Sequence, residues 1–428
     1  MEMPSMNATT ALATNGLVQH LDASVSPAHS VEYSAQRLRA AGWIDTSFEN
    51  IQIDFPQRGM IADSGLLLAW NASTQKSRKF HIVGAHTDSP CLKVKPLPDS
   101  GSFGWKQIGV EVYGGILNNS WLDRDLGIAG RVVLRDGTVR SIRIDDPIAR
   151  IPQLAIHLDR DVNDRGLVLD KQIHLAPIWG LGQYRPGEFA EFIASRIDVS
   201  VRDMAMWDLG LFDLTMASLL GSDQSLLASG RLDNQVSCWA ATEGLIDSAD
   251  VVSPSDTTTV IALFDHEEVG SESTHGAAGP RLAWLLEALH SGSRSDFHET
   301  LSRSHCISAD NAHAIHPNYP DRHEPSHRPL PNLGPVLKMN ANQRYATNPE
   351  SAAVFLRTCG SASVPHQIFV SKNSIPCGST IGPITSTQLG IPTVDVGIAQ
   401  LSMHSARELC GALDPSMLAQ VIAHYFSE

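Results

Sequence analysis

An excess of cations, cysteine pairs and long apolar runs are all missing from this 428-residue chain. Lysine and arginine number 32 against 46 aspartates and glutamates, a formal charge of −14. Such a balance repels a phosphate backbone and argues against a nucleic-acid partner. No stretch approaches the run of about 18 apolar residues that a membrane helix requires. The N-terminal MEMPSMNATTALATNGL carries neither the cationic start nor the firm apolar centre of a signal peptide. A cytoplasmic protein without a membrane partner is therefore expected. The six cysteines, Cys91, Cys238, Cys306, Cys359, Cys377 and Cys410, form no CxxC pair. That spacing removes a zinc ribbon and leaves them as small buried hydrophobes, reduced in the cytosol. No Gly-x-Ser-x-Gly elbow surrounds Ser379, so a serine nucleophile has little support. Gly378–Gly382 lacks the Gly-Lys-Ser/Thr ending of a phosphate loop and is too short for one.

What is present suits two domains with a large core, since 42% of the residues are hydrophobic and 18% charged. Ser26-Pro27 supply an N-cap and a first-turn proline for a helix whose apolar face is Val31, Ala35 and Leu38, with Gly42 at its end. The short apolar runs Leu66–Trp70, Lys79–Ala85, Thr258–Phe264, Cys306–Ala309, His366–Val370 and Pro392–Val396 read as strands. Helices are expected at Ala278–Leu289 and Leu413–Tyr425. Alternating strands and helices predict an α/β domain. Between 94 and 216 the pattern changes to glycine-rich β alternation, as in Gly109–Gly115 and Gly130–Leu134. A β-rich domain is expected there, inserted between 1–93 and 217–428 of the first. Tyr319–Pro335, rich in proline and histidine, reads as a long ordered loop; His313, His316, His323 and His327 suit that loop better than a metal tract.

The chemistry lies in five fragments. His86-Thr87-Asp88, Asp265-His266-Glu267-Glu268 and Asp310-Asn311 each follow a predicted strand, where open α/β sheets gather functional groups. Leu232-Asp233-Asn234 precedes a predicted helix, and Ser402-Met403-His404 lies beyond the strand around Val394. Two histidines with several carboxylates suit a borderline-soft divalent ion such as Zn²⁺. Two ions would need about five ligands, one carboxylate bridging them, and ions about 3.5–4 Å apart can share an activated hydroxide. In His-x-Asp the carboxylate can receive the other ring N–H and fix the tautomer. A Glu-Glu pair lets one carboxylate bind metal while its neighbour works as general base. Each fragment alone is ordinary: HxD a surface feature, Glu267-Glu268 a solvated helix start, Asp233-Asn234 a turn. Their conjunction favours metal.

The fragments GAHTDSP, LDN, DHEEVGS, SADNAHAIHPNY, KMNANQRYAT, CGSTIGPI and SMHSARE, in this order, resemble the M18 family of aspartyl-type aminopeptidases. The resemblance spans essentially the whole chain. It implies an α/β exopeptidase domain, a mixed sheet with helices on both faces, into which a β-rich dimerisation domain is inserted. It further implies two Zn²⁺ per subunit, with Co²⁺ and Mn²⁺ also chemically suited. Asp233 would bridge them, His86 and Asp310 would complete one ion, and Glu268 and His404 the other. Glu267 would be the general base and Asp88 would orient His86. Peptides would be the substrates, and the subunits would assemble into a large homo-oligomer, a dodecamer built from dimers.

Two more residues follow from the resemblance. His157, in Ala155–Leu158, would reach from one subunit into its neighbour's site to hold the substrate carbonyl or its oxyanion; by its flanks alone it reads as a packed strand residue. Lys338 would line the pocket for an acidic first side chain; by its flanks it reads equally as a solvated strand lysine. The negative chain as a whole repels acidic peptides, so such selectivity needs a local cation, with Arg344 a further candidate. Two other functions remain at this stage. One is a metal-dependent deacylase or carboxypeptidase of the related clan. The other is a non-catalytic assembling scaffold, which the intact Glu267 and ligand set argue against.

Overall fold

A computed structural model describes residues 8–50, 56–73, 77–251, 256–290 and 292–428, so the first residues of the N-terminal stretch lie outside the description. The chain divides into two compact units. The first comprises the described residues up to Asp88 together with Ala217–Met403 and Glu408–Glu428; the second is Ser89–Met216 with His404–Arg407.

The first unit is built on a nine-stranded mixed sheet. Four adjacent parallel strands form its centre: Thr257–Phe264, Lys79–His86, His305–Ala309 and Thr393–Gly397. The antiparallel pair Arg58–Asp63 and Leu66–Asn71 extends one side, and Val336–Met339 with Gln367–Val370 the other. These central strands read as unbroken apolar runs because both sheet faces are covered. Val83, Ala85, Ile261 and Leu263 pack with Leu38, Leu245, Val421 and Tyr425 from the helices Pro27–Ala40, Leu232–Ser248 and Asp414–Ser427. The alternate residues Phe80, Ile82, Val260 and Ala262 face the opposite layer, with Leu282, Leu285, Phe297 and Ile381 from the helices Arg281–His290, Arg294–Arg303 and Ile381–Leu389. Each fully buried Val, Leu, Ile or Phe among them contributes about 1.5–3 kcal/mol relative to exposure. A separate five-stranded sheet in this unit includes the neighbours Ala399–Leu401 and Glu408–Gly411. No described helix is long and apolar enough to cross a membrane.

The second unit holds a six-stranded sheet, antiparallel at every pairing, in the order Val139–Ala149, Leu126–Leu134, Met204–Asp213, Cys91–Ser102, Trp105–Tyr113, Ile178–Leu181. Its core joins Leu92, Ile128, Val132 and Leu209 to Phe189 and Ile193 of the helix Glu188–Arg196. At the turn between Cys91–Ser102 and Trp105–Tyr113, Phe103 is 99% exposed.

Local details depart from the sequence expectations. Ser26 takes the extended N-cap conformation, yet its hydroxyl lies 2.7 Å from His29 Nδ1 instead of bonding a helix N–H. A helix at Ala8–Ala23 precedes it, placing Leu17 and Leu21 one turn apart in the core. The helix expected from Ala278 begins at Arg281, directly after Pro280. Four cysteines are buried, but Cys91 and Cys377 are only half-buried.

Candidate metal centre

The carboxyl ends of three central strands carry the first groups. His86 is the last residue of its strand, Asp265 follows Phe264, and Asp310 follows Ala309. Thr87 locks this edge by donating from Oγ1 to the Gly65 carbonyl at 2.6 Å. A Cβ on Gly65 would lie 2.0 Å from Asp265 Oδ2, so only glycine lets that turn approach the loop.

His86 is buried and its two nitrogens have separate tasks. Nδ1 lies 3.1 Å from the Asp88 carbonyl oxygen and 3.3 Å from Asp88 Oδ1. A carbonyl can only accept, so Nδ1 carries the proton and Nε2 is the nitrogen presented to a ligand. Nε2 lies 3.3 Å from Asp233 Oδ1, 3.8 Å from Asp310 Oδ1 and 4.0 Å from Glu267 Oε2. Burial alone would lower the His86 pKa, but the carboxylates of Asp233, Asp310 and Asp88 outweigh it and hold the pKa well above its ordinary value. The cluster is a strongly negative enclosure that stabilises a cation.

Asp88 does more than face His86. Its Oδ1 accepts the Glu267 N–H and its Oδ2 the Glu268 N–H, both at 3.1 Å. These are the opening amides of the short turn Glu267–Val269, so a buried carboxylate sits where a helical start has unsatisfied donors. Burial first, with Asp310, Asp233 and Asp88 adding and His86 opposing, pushes the Glu267 carboxyl up to about 8. Asp233 enters from the start of Leu232–Ser248, where the backbone at Asp233 and Asn234 leaves helical geometry. Asn234 Nδ2 donates to the Ala309 carbonyl at 2.8 Å, and Gln235 Nε2 to the Thr87 carbonyl at 2.7 Å, tying this start to two strand ends.

Lys338 is neither solvated nor on a strand edge facing water: it is 1% exposed. Its ammonium lies 3.4 Å from Asp310 Oδ2, donates to the Asn311 carbonyl at 3.2 Å and stands 4.9 Å from the Tyr345 ring centre. Asp310 thus turns Oδ1 towards His86 and Oδ2 towards Lys338. Arg344, by contrast, is exposed. His157 lies in an exposed 3-10 turn, Ile156–Leu158, and not in a strand. His404 belongs to the second unit, where its Nδ1 lies 3.0 Å from the Gly115 carbonyl, so Nδ1 carries the proton and Nε2 does not. In the loop after Asp310, His316 N donates to His323 Nε2 at 3.1 Å.

Sequence reasoning assigned no role to Glu408, Gln400 or Asn311, which lie buried beside these groups. Glu408 Oε2 accepts the Asp233 N–H at 3.0 Å. A glutamine inside the apolar run Ile398–Leu401 was the available signal; Glu408 follows Arg407 and reads as a surface charge.

The donor set fits a divalent ion of the zinc type. One ligand atom each of His86, Asp233 and Glu268 lie within 4.8 Å of one another, which combines imidazole nitrogen with carboxylate oxygen; His86 and Asp233 are buried and Glu268 half-buried.

Comparison with known proteins agrees with that chemistry. The family model "Aminopeptidase I zinc metalloprotease (M18)" matches residues 20–426. A Streptomyces avermitilis protein named "Probable M18 family aminopeptidase 2" is 48% identical over 418 residues, covering 96% of this chain and 97% of that protein. Among solved structures, the fold is similar to a chain of the Ape4 and Nbr1 complex, with a TM-score of 0.94 at 32% identity over 100% of this chain and 88% of the other. An mApe1 dodecamer matches with a TM-score of 0.85 at 27% identity, covering 98% of this chain and 97% of that one. With its carboxylate-and-imidazole cluster at the strand ends, the chain belongs to the M18 family of zinc metalloproteases and is a metal-dependent aminopeptidase.

Proposed function

We propose that the chain is a dinuclear zinc aminopeptidase that removes acidic N-terminal residues from peptides. The observation that carries this reading is the number of carboxylates at one place: Asp88, Asp233, Glu267, Glu268 and Asp310 converge around His86. So many anionic oxygens around one imidazole are better compensated by two divalent cations than by one. Asp233 is the shared ligand in this reading, with His86 and Asp310 holding one ion and Glu268 and His404 the other. Co²⁺ and Mn²⁺ suit the same donors. When bound, such ions supply Lewis acidity to a carbonyl and lower the pKa of water towards neutrality.

The chain's own residues do the rest. Glu267, next to the ligand Glu268, takes a proton from the attacking water and delivers it to the leaving amine. Its carboxyl, destabilised as an anion by burial and by neighbouring carboxylates, gives up a captured proton less readily than an exposed glutamate. Asp88 holds the Glu267 and Glu268 amides and fixes the His86 ring. His157 reaches a substrate bound by another copy and donates to the developing oxyanion. Support for such an assembly comes from the apolar side chains left in solvent on the second unit, Phe103, Leu154, Ile156 and Leu158 among them, and from the dodecameric state of the similar mApe1. A large homo-oligomer, a dodecamer built from dimers, is the assembly proposed.

Selectivity for acidic residues requires positive potential near the cluster. Lys338 supplies it from below, its ammonium against the Tyr345 ring. That ring also borders a cavity of about 230 Å³ whose lining includes His313, Arg322, His323, Glu324 and Lys372. A carboxylate side chain seated there meets Arg322 and Lys372, with Glu324 opposing them.

The test is hydrolysis of Asp, Glu, Leu and Lys chromogenic amides and an N-acetylated Asp control by zinc-reconstituted protein. Cleavage of the Asp and Glu derivatives alone is expected. Preferred cleavage of Leu would overturn the selectivity, and turnover of the acetylated control would overturn the aminopeptidase mechanism.

A further inference from the structure

Four buried polar residues close a ring beneath the centre. The Asp233 N–H donates to Glu408 Oε2 at 3.0 Å. Gln400 Nε2 lies 3.4 Å from Glu408 Oε1 and Gln400 Oε1 accepts from Asn311 Nδ2 at 2.7 Å. Asn311 Nδ2 also donates to the Leu232 carbonyl at 2.9 Å, which returns the ring to the residue before Asp233. Glu408 is 2% exposed, and Gln400, Asn311 and Asp233 are likewise buried. Gln400 and Glu408 stand on the paired antiparallel strands Ala399–Leu401 and Glu408–Gly411, so their side chains are carried by a rigid element.

The ring joins two elements that bring ligands from opposite directions. Asp233 sits where the helix start departs from helical geometry, with φ −83° and ψ 105°. Its N–H has no carbonyl one turn back and needs an acceptor from elsewhere. Asn311 directly follows Asp310, at the end of the strand His305–Ala309. A neutral acceptor would satisfy the Asp233 amide. A carboxylate in this place also adds negative charge next to a group already surrounded by anions, which is unfavourable unless cations are bound close by. Carboxylates that ligate metal are themselves oriented by hydrogen bonds from an outer layer of residues, and those outer partners tune affinity.

We infer that Glu408 is a positioning residue for the metal centre: through the Asp233 amide and the Gln400–Asn311 bridge it sets the direction of the Asp233 carboxylate relative to Asp310. This rests on the reading of Asp233 as the shared ligand. Glu408 touches neither substrate nor ions in this account, and acts only through Asp233. Its effect therefore falls on zinc affinity and kcat together, leaving the recognition of substrate as it was.

The experiment compares the full-length wild type with Glu408→Gln, Glu408→Ala and Asp233→Asn. Zinc affinity and stoichiometry are read by competition with a chromophoric chelator, kcat and KM with an Asp chromogenic amide, and folding by thermal melting of the zinc-free proteins. Glu408→Ala is expected to weaken zinc binding by about 10- to 100-fold, with a parallel loss of kcat and a KM within about twofold of wild type. Glu408→Gln keeps an acceptor for the Asp233 N–H and recovers much of that loss; it also serves as the readable variant if the alanine form fails to fold. A lowered zinc-free melting temperature in both variants with unchanged zinc affinity would reduce Glu408 to a structural residue and overturn the inference. Loss of kcat without loss of zinc affinity would overturn it too, because the effect would not pass through the ligand. Asp233→Asn separates the two levels: native stoichiometry and affinity in that variant would remove the shared-ligand reading itself, whatever Glu408 does.

Discussion

Asp88 places both of its oxygens on consecutive amides, those of Glu267 and Glu268, and its carbonyl on the His86 ring. One buried residue therefore sets three groups of the centre. Asparagine at this position offers one acceptor oxygen and an amide that can only donate. One of the two N–H groups then loses its partner in a dry site, at a cost of about 1–3 kcal/mol. Asp88→Asn is expected to lower the denaturation midpoint and to reduce kcat by more than tenfold, with KM moving less than about twofold. Urea unfolding and steady-state kinetics on the same preparation check both halves; a variant with full kcat would show that the Asp88 clamp has no part in placing Glu267. The residues of this clamp were legible because His-x-Asp and Glu-Glu carry their chemistry in their spacing. Glu408 and Gln400 were not, since a lone glutamate or glutamine is ordinary on a surface and only the fold buries it.

At the scale of elements, legibility followed burial on both faces. Lys79–His86 and Thr257–Phe264 are covered by helices above and below, and their continuous apolar runs mark them in the sequence. Arg58–Asp63 lies near the sheet edge and mixes charge with small residues, so its pairing with Leu66–Asn71 could not be read from composition. Gln367–Val370, at the other edge, was visible through its β-branched and aromatic residues. The short segment His404–Arg407 groups with the second unit, far along the chain from Ser89–Met216, and no local pattern marks that.

The closing helix, Asp414–Ser427, makes a prediction of its own. Asp414 is fully buried at its first turn and accepts N–H bonds from Asn332 at 2.6 Å and Gly334 at 2.9 Å. Burial pushes its carboxyl up to about 7. The pKa is raised on folding, so the folded chain retains a proton that the unfolded chain releases. The stability this group contributes is complete below about pH 4 and is lost as pH rises through about 7. Urea unfolding at pH 5 and pH 8 should show wild type losing stability over that interval more steeply than Asp414→Asn. Equal slopes would place the pH dependence elsewhere.

Over the whole molecule, a formal charge of −14 coexists with a centre that concentrates carboxylates and a cavity whose lining includes Arg322 and Lys372. The net charge sets the long-range field, while the local sign decides chemistry. A two-ion centre with Glu267 as the proton carrier is decided by one paired measurement. Zinc stoichiometry and turnover of an Asp chromogenic amide are determined for wild type and Glu267→Gln. Both proteins should bind two zinc ions per chain, and the variant should lose at least about 100-fold in kcat. A single zinc per chain in wild type, or a variant that turns over like wild type with its zinc in place, would contradict the account.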